Sequence, residues 1–138
     1  MRTKGYQNYF DEEILTANPV KLVHLLYRGA LDSISSARRY LRLGDIRARS
    51  RAITKAMAIV TELSLSLDQT AGGELSRNLA ELYGYVEMLL IKANTEQCDP
   101  PLAEAEGLLG TLADAWESST PAVAPVTHQE THEPVSCA

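Results

Sequence analysis

The sequence predicts an all-α fold, an antiparallel up-down four-helix bundle with a short N-terminal arm and a disordered C-terminal tail. Three observations predict it. Apolar residues recur three or four apart over long stretches, helix start and stop residues punctuate those stretches at short connections, and no segment alternates as a strand does. At 138 residues with 45 % hydrophobic content, the chain holds enough apolar material for one core without disulfide staples. The division is an arm over 1–17, a helical bundle over 18–117 and a tail over 118–138.

The arm carries Tyr6, Tyr9 and Phe10, then Asp11-Glu12-Glu13 and Ile14-Leu15. This is too aromatic for a purely solvated segment, so the arm is expected to dock weakly. Asn18-Pro19 is a helix start, with Asn as cap and Pro where its missing N–H costs nothing. The first helix runs to about Leu43, and its inward stripe is Leu22, Val23, Leu26, Tyr27, Ala30, Ile34, Ala37 and Leu41. Gly44 suits a left-handed C-terminal cap, and Asp45 caps the next helix at once.

The second and third helices form the central hairpin. Over 52–67 the apolar series is Ile53, Ala56, Met57, Ile59, Val60, Leu63 and Leu67; over 75–94 it is Leu75, Leu79, Leu82, Tyr83, Val86, Leu89, Leu90 and Ala93. Between them Gly72-Gly73 is expected to end the second helix, and Glu74 to face the unpaired N–H groups of the third. Asp99-Pro100-Pro101 opens the fourth helix, whose narrower stripe is Leu102, Ala105, Leu109, Leu112 and Trp116. From Ser118 the composition turns to Ser, Thr, Pro, Ala, Val, His and Glu without period, the mark of a disordered tail.

Net charge is −5, and it is unevenly spread. Residues 1–55 hold eleven Lys/Arg against five acids, and the rest two against thirteen, so the two parts carry +6 and −11. Arg38, Arg39, Arg42, Arg47, Arg49, Arg51 and Lys55 cluster near the first helix-to-helix corner. The acidic total and the lack of interleaved aromatics point away from nucleic acid and toward a solvated face that pairs with the acidic half. No stretch has the length of a membrane span and the N-terminus lacks the apolar segment of a secretory signal, so a cytoplasmic protein without membrane insertion is expected. Cys98 and Cys137 read as reduced thiols.

Enzyme chemistry finds no constellation. There is no Glu-x-x-His pair in the helices, no Cys-x-x-Cys, no glycine-rich phosphate loop and no nucleophile–base–acid set, so neither metal nor cofactor is expected. His128 and His132 fall in the tail and read as incidental. His24, followed by Leu26, Arg28 and Gly29, supports an alternative: a histidine phosphotransfer protein built on the same four-helix layout. In that layout the basic residue and glycine come one position late here, a rotation of about 100° on a helix.

Three apolar residues lie outside the inward arcs: Leu65 in the second helix, and Met88 and Ile91 in the third. They are either ordinary scattered surface apolars or a groove for an amphipathic partner helix.

One ordered set of residues goes further. Thr16-Ala17-Asn18-Pro19 with Leu22, Leu26-Tyr27, Gly29-Ala30, Asp45, Lys55-Ala56, Glu62-Leu63 and Leu67-Asp68 is followed by Gly72-Gly73-Glu74, Asn78-Leu79, Leu82-Tyr83-Gly84-Tyr85, Ala93-Asn94, Gly107-Leu108-Leu109 and Asp114-Ala115-Trp116. Over 14–116 this resembles the flagellar secretion chaperone family (FliS). The resemblance implies a non-catalytic helical bundle that binds the C-terminal segment of flagellin in the cytoplasm, prevents premature polymerisation and escorts the subunit to a component of the flagellar export gate. It also implies a role for a tyrosine of the arm, for which Tyr6 fits best and Tyr9 second. The partner-binding candidates are Tyr6, Leu26, Tyr27, Ile59, Leu63, Leu79, Leu82, Tyr83, Val86 and Met88. The chain departs from the family in carrying Arg28 after the tyrosine of the first helix, where an acid is frequent, and Met88-Leu89 where two basic residues are usual.

Overall fold

A computed structural model describes residues 18–67 and 72–118. Residues 1–17, with Tyr6, residues 68–71 and residues 119–138 lie outside the described residues. Among the described residues four helices follow in order: α1 (Pro19–Leu43), α2 (Ile46–Leu65), α3 (Gly73–Glu96) and α4 (Pro100–Ser118).

Local chemistry sets the ends as the residue types suggest. The Asn18 side chain accepts a hydrogen bond from the Lys21 amide at 2.8 Å, with Pro19 as the first helical residue. Gly44 closes α1 at φ 74°, and its N–H donates to the Leu41 carbonyl. Asp45 then caps α2 through the Ala48 amide at 3.1 Å. The glycine pair behaves differently from expectation. The second helix stops at Leu65, where the Ser66 hydroxyl donates to the Leu63 carbonyl and satisfies one of the last free acceptors. Gly72 is extended and Gly73, at φ 57°, turns the chain into α3, so the glycines open the third helix rather than end the second.

Each helix packs on its two neighbours around a square: α1 on α2 and α4, and α3 on α2 and α4. The α1–α2 pair shares the most extensive contact, and Ala30, Ala37, Ala48 and Ala56 are small buried residues of these two helices. Ile34, Ile53, Val60, Leu63, Val86, Leu90, Leu102 and Leu109 fill the interior, and Leu112 and Trp116 pack half-buried on its edge. Polar links fasten the helix ends. Arg38 holds Asp99 with two parallel bonds of 2.8 Å and Glu106 at 2.6 Å, so one α1 guanidinium grips the start of α4. Arg49, buried, donates to the Asn94 side-chain oxygen at 3.2 and 3.3 Å and to Gln97 at 3.5 Å, fastening α2 to the end of α3. At the opposite end the Trp116 indole N–H donates to the Val20 carbonyl at 3.2 Å.

Cys98 corrects the thiol expectation: it is disulfide-bonded. It lies in the loop between α3 and α4. Among the described residues no helix is long and apolar enough to cross a membrane.

Candidate partner-binding surface

The α2–α3 side of the square carries part of the apolar surface that burial leaves over. The register of this side is fixed at one end by Arg49 on Asn94, and at the other by the Ser76 hydroxyl on the Leu67 carbonyl at 3.4 Å. Midway, the Thr61 hydroxyl reaches Glu87 at 3.4 Å across the seam. Outward of that seam stand Leu65 (63 % exposed), Met88 (49 %) and Ile91 (52 %).

Small residues separate them. Ala58, Ala80 and Gly84 are exposed on the same two helices, and a Cβ at Gly84 would meet nothing within 4 Å. A mid-helix glycine costs about 1 kcal/mol of helix stability relative to alanine. No packing contact compensates for it here, so what Gly84 supplies is a dent in the surface between Ala80 and Met88. Large apolar residues alternating with dents make a bed for the apolar side chains of a second helix. Apolar periodicity does not point to these small residues, because it registers large side chains. A glycine inside a strongly periodic helix was the available sign.

The predicted partner-binding residues fall into three groups. Leu79 and Leu82, elsewhere on α3, are half-buried, Leu79 packing against the core, whereas Met88 is exposed on the face. Leu26, Tyr27, Ile59, Leu63, Tyr83 and Val86 are core residues beneath or behind it. Tyr6 lies outside the described residues.

Within that core, Tyr27 of α1 and Tyr83 of α3 meet across the bundle. Their rings sit edge to face with centroids 6.5 Å apart, and their hydroxyls share a hydrogen bond of 2.6 Å. Burial, which penalises the phenolate, pushes both phenols above their ordinary range. They are fixed neutral polar groups in an apolar interior. Tyr85, on the α4 side of α3, donates to Glu104 at 2.6 Å, and that bond raises its pKa to about 12.

His24 is half-buried at the end of the bundle. It lines an open recess of about 370 Å³ with Asn18, Val20, Lys21, Trp116 and Glu117. Arg28 is exposed one turn further along α1. Among the described residues no group of three His, Cys, Asp or Glu side chains is placed to hold a metal ion. The surface offers shape and apolar area.

Comparison with known proteins gives one consistent result. The family described as "Flagellar protein FliS" matches residues 2–123. The chain is 37 % identical over 112 residues to the flagellar secretion chaperone FliS of Salmonella typhimurium, covering 80 % of this chain and 83 % of that one. It is 34 % identical over 115 residues to the flagellar secretion chaperone FliSB of Pseudomonas aeruginosa, covering 83 % and 91 %. It is 31 % identical over 114 residues to the FliS of Bacillus subtilis, covering 83 % and 84 %.

Proposed function

The chain belongs to the flagellar secretion chaperone family FliS, a non-enzymatic family, and from that premise we propose that it binds the C-terminal segment of flagellin on the α2–α3 face. Bound there in the cytoplasm, the segment is kept from polymerising, and the complex is carried to a component of the export gate. The observation that carries this reading is the exposed row Leu65, Met88 and Ile91 set among Ala58, Ala80 and Gly84.

A segment that is disordered when free loses conformational entropy on binding, so it needs a large contact surface that returns more than is lost. An apolar row along two helices offers such area, and its relief lets an amphipathic helix seat residues spaced three and four apart. Leu79 and Leu82 back the row, while Tyr27, Ile59, Leu63, Tyr83 and Val86 hold its two helices at a fixed separation. Met88 stands where the family commonly has a basic residue, so a flagellin matched to this chain presents an apolar side chain opposite it. Tyr6 is assigned to the later handover to the gate.

Titration calorimetry against the C-terminal segment of flagellin from the same cell tests the reading. The expected result is one-to-one binding with a negative heat-capacity change, weakened about tenfold or more by Met88→Arg, which puts an unpaired charge into an apolar contact. A folded protein that gives no heat with this segment would overturn it.

A further inference from the structure

The apolar row is not the most exposed greasy surface. That distinction, among the described residues, belongs to the corner between α1 and α2, where Leu43 is 70 % exposed and Ile46 57 %. The two flank Gly44 and Asp45 at the tip of a helical hairpin, so they project from a convex end rather than line a groove.

The corner is surrounded by arginines without acidic partners. Arg39 and Arg42 lie in the last turns of α1, and Arg47 and Arg51 in the first turns of α2; all four are exposed. Among the described residues the ion pairs belong to Arg38 alone, which takes up Asp99 and Glu106. Asp45 is committed to the Ala48 amide, and Arg39 lies 5.1 Å over the ring of Tyr40. Among the described residues Glu96, on the neighbouring α3–α4 corner, and Asp45 itself are the exposed acids at this end. The expected pairing of the basic half with the acidic half is therefore met by Arg38 and not by these four.

We infer that this corner docks on an anionic bilayer surface, with Leu43 and Ile46 entering the headgroup–acyl boundary and Arg39, Arg42, Arg47 and Arg51 on lipid phosphates. Two features together select this partner. Arginine forks match phosphate oxygens in pairs, which any polyanion would satisfy. Bare aliphatic side chains on a convex tip gain nothing from nucleic acid and find no complement on a flat protein surface, but they lose water at a bilayer interface. The inference goes beyond the flagellin reading and does not depend on it, since the corner lies at the end of the bundle and not on the α2–α3 face.

Sedimentation of the full chain with phosphatidylglycerol vesicles, and separately with phosphatidylcholine vesicles, tests the inference at low salt. The expected result is binding to the first and not the second, falling as salt shortens the reach of the charges. Arg42→Gln with Arg47→Gln is expected to reduce partitioning roughly twentyfold, as two surface cations near an anionic leaflet would. Leu43→Ser with Ile46→Ser is expected to reduce it about tenfold or more through lost apolar burial. All four positions are exposed, so thermal melting and flagellin-segment titration of the variants should match the parent. Absence of binding to phosphatidylglycerol vesicles would overturn the inference, as would Leu43→Ser/Ile46→Ser binding like the parent, or binding to duplex DNA in place of vesicles.

Discussion

Tyr27 and Tyr83 carry the clearest residue-scale consequence. Each buried hydroxyl has the other as its partner, so Tyr83→Phe removes one and strands the other. The expected loss is about 1–3 kcal/mol in urea unfolding. The double change Tyr27→Phe/Tyr83→Phe strands nothing and is expected to lose less than the sum of the two single changes. Tyr85 gives a pH signature. Its bond to Glu104 favours the neutral phenol, so the contribution is fully present below the ordinary value of 10.0 and is lost as pH rises toward about 12. An ultraviolet phenolate titration is expected to show this late step, with Glu104→Gln moving it back toward the ordinary value. Periodicity put both Tyr27 and Tyr83 on inward stripes, but pairing of two hydroxyls 56 positions apart depends on helix rotation and height, which spacing does not encode.

Helix ends were legible where a residue type has one physical use, as with Asn18-Pro19, Gly44-Asp45 and the Asp99-Pro100-Pro101 entry. They were less so where a residue has two. Gly72-Gly73 serves equally to leave a helix or to enter one, and Ser66, able to return a hydrogen bond to its own last turn, ended α2 first. At Gly44 the positive φ is used as expected, so Gly44→Ala forces a side chain into the left-handed region although nothing crowds the site. The expected loss is about 1–2 kcal/mol, measured by thermal or urea unfolding.

For the whole molecule, the four-helix architecture followed from apolar periodicity and short connections, and the structure reproduces it. The candidate surface was legible only in part. Leu65, Met88 and Ile91 fell outside the inward arcs and are exposed, whereas most of the proposed contact residues proved to be core. The reason is that one stripe of leucines and valines looks the same whether it meets a neighbouring helix or a partner, and the difference is set by which side of the square is left open. Charge was legible as an imbalance but not as an arrangement. The bundle places the basic helices α1 and α2 side by side, opposite the acidic pair α3 and α4, so the chain has two differently charged sides.

The square order also makes most contacts sequentially near. Successive helices touch through antiparallel hairpins, and only the α4–α1 edge and the Trp116–Val20 link close the ring over a long stretch of chain. Little loop-closure entropy must be lost before contacts begin to compensate, which places folding in the microsecond-to-millisecond range of helical bundles. Synthesis proceeds at roughly 5–20 residues per second. A bundle that folds this quickly is complete almost as soon as its last helix leaves the ribosome.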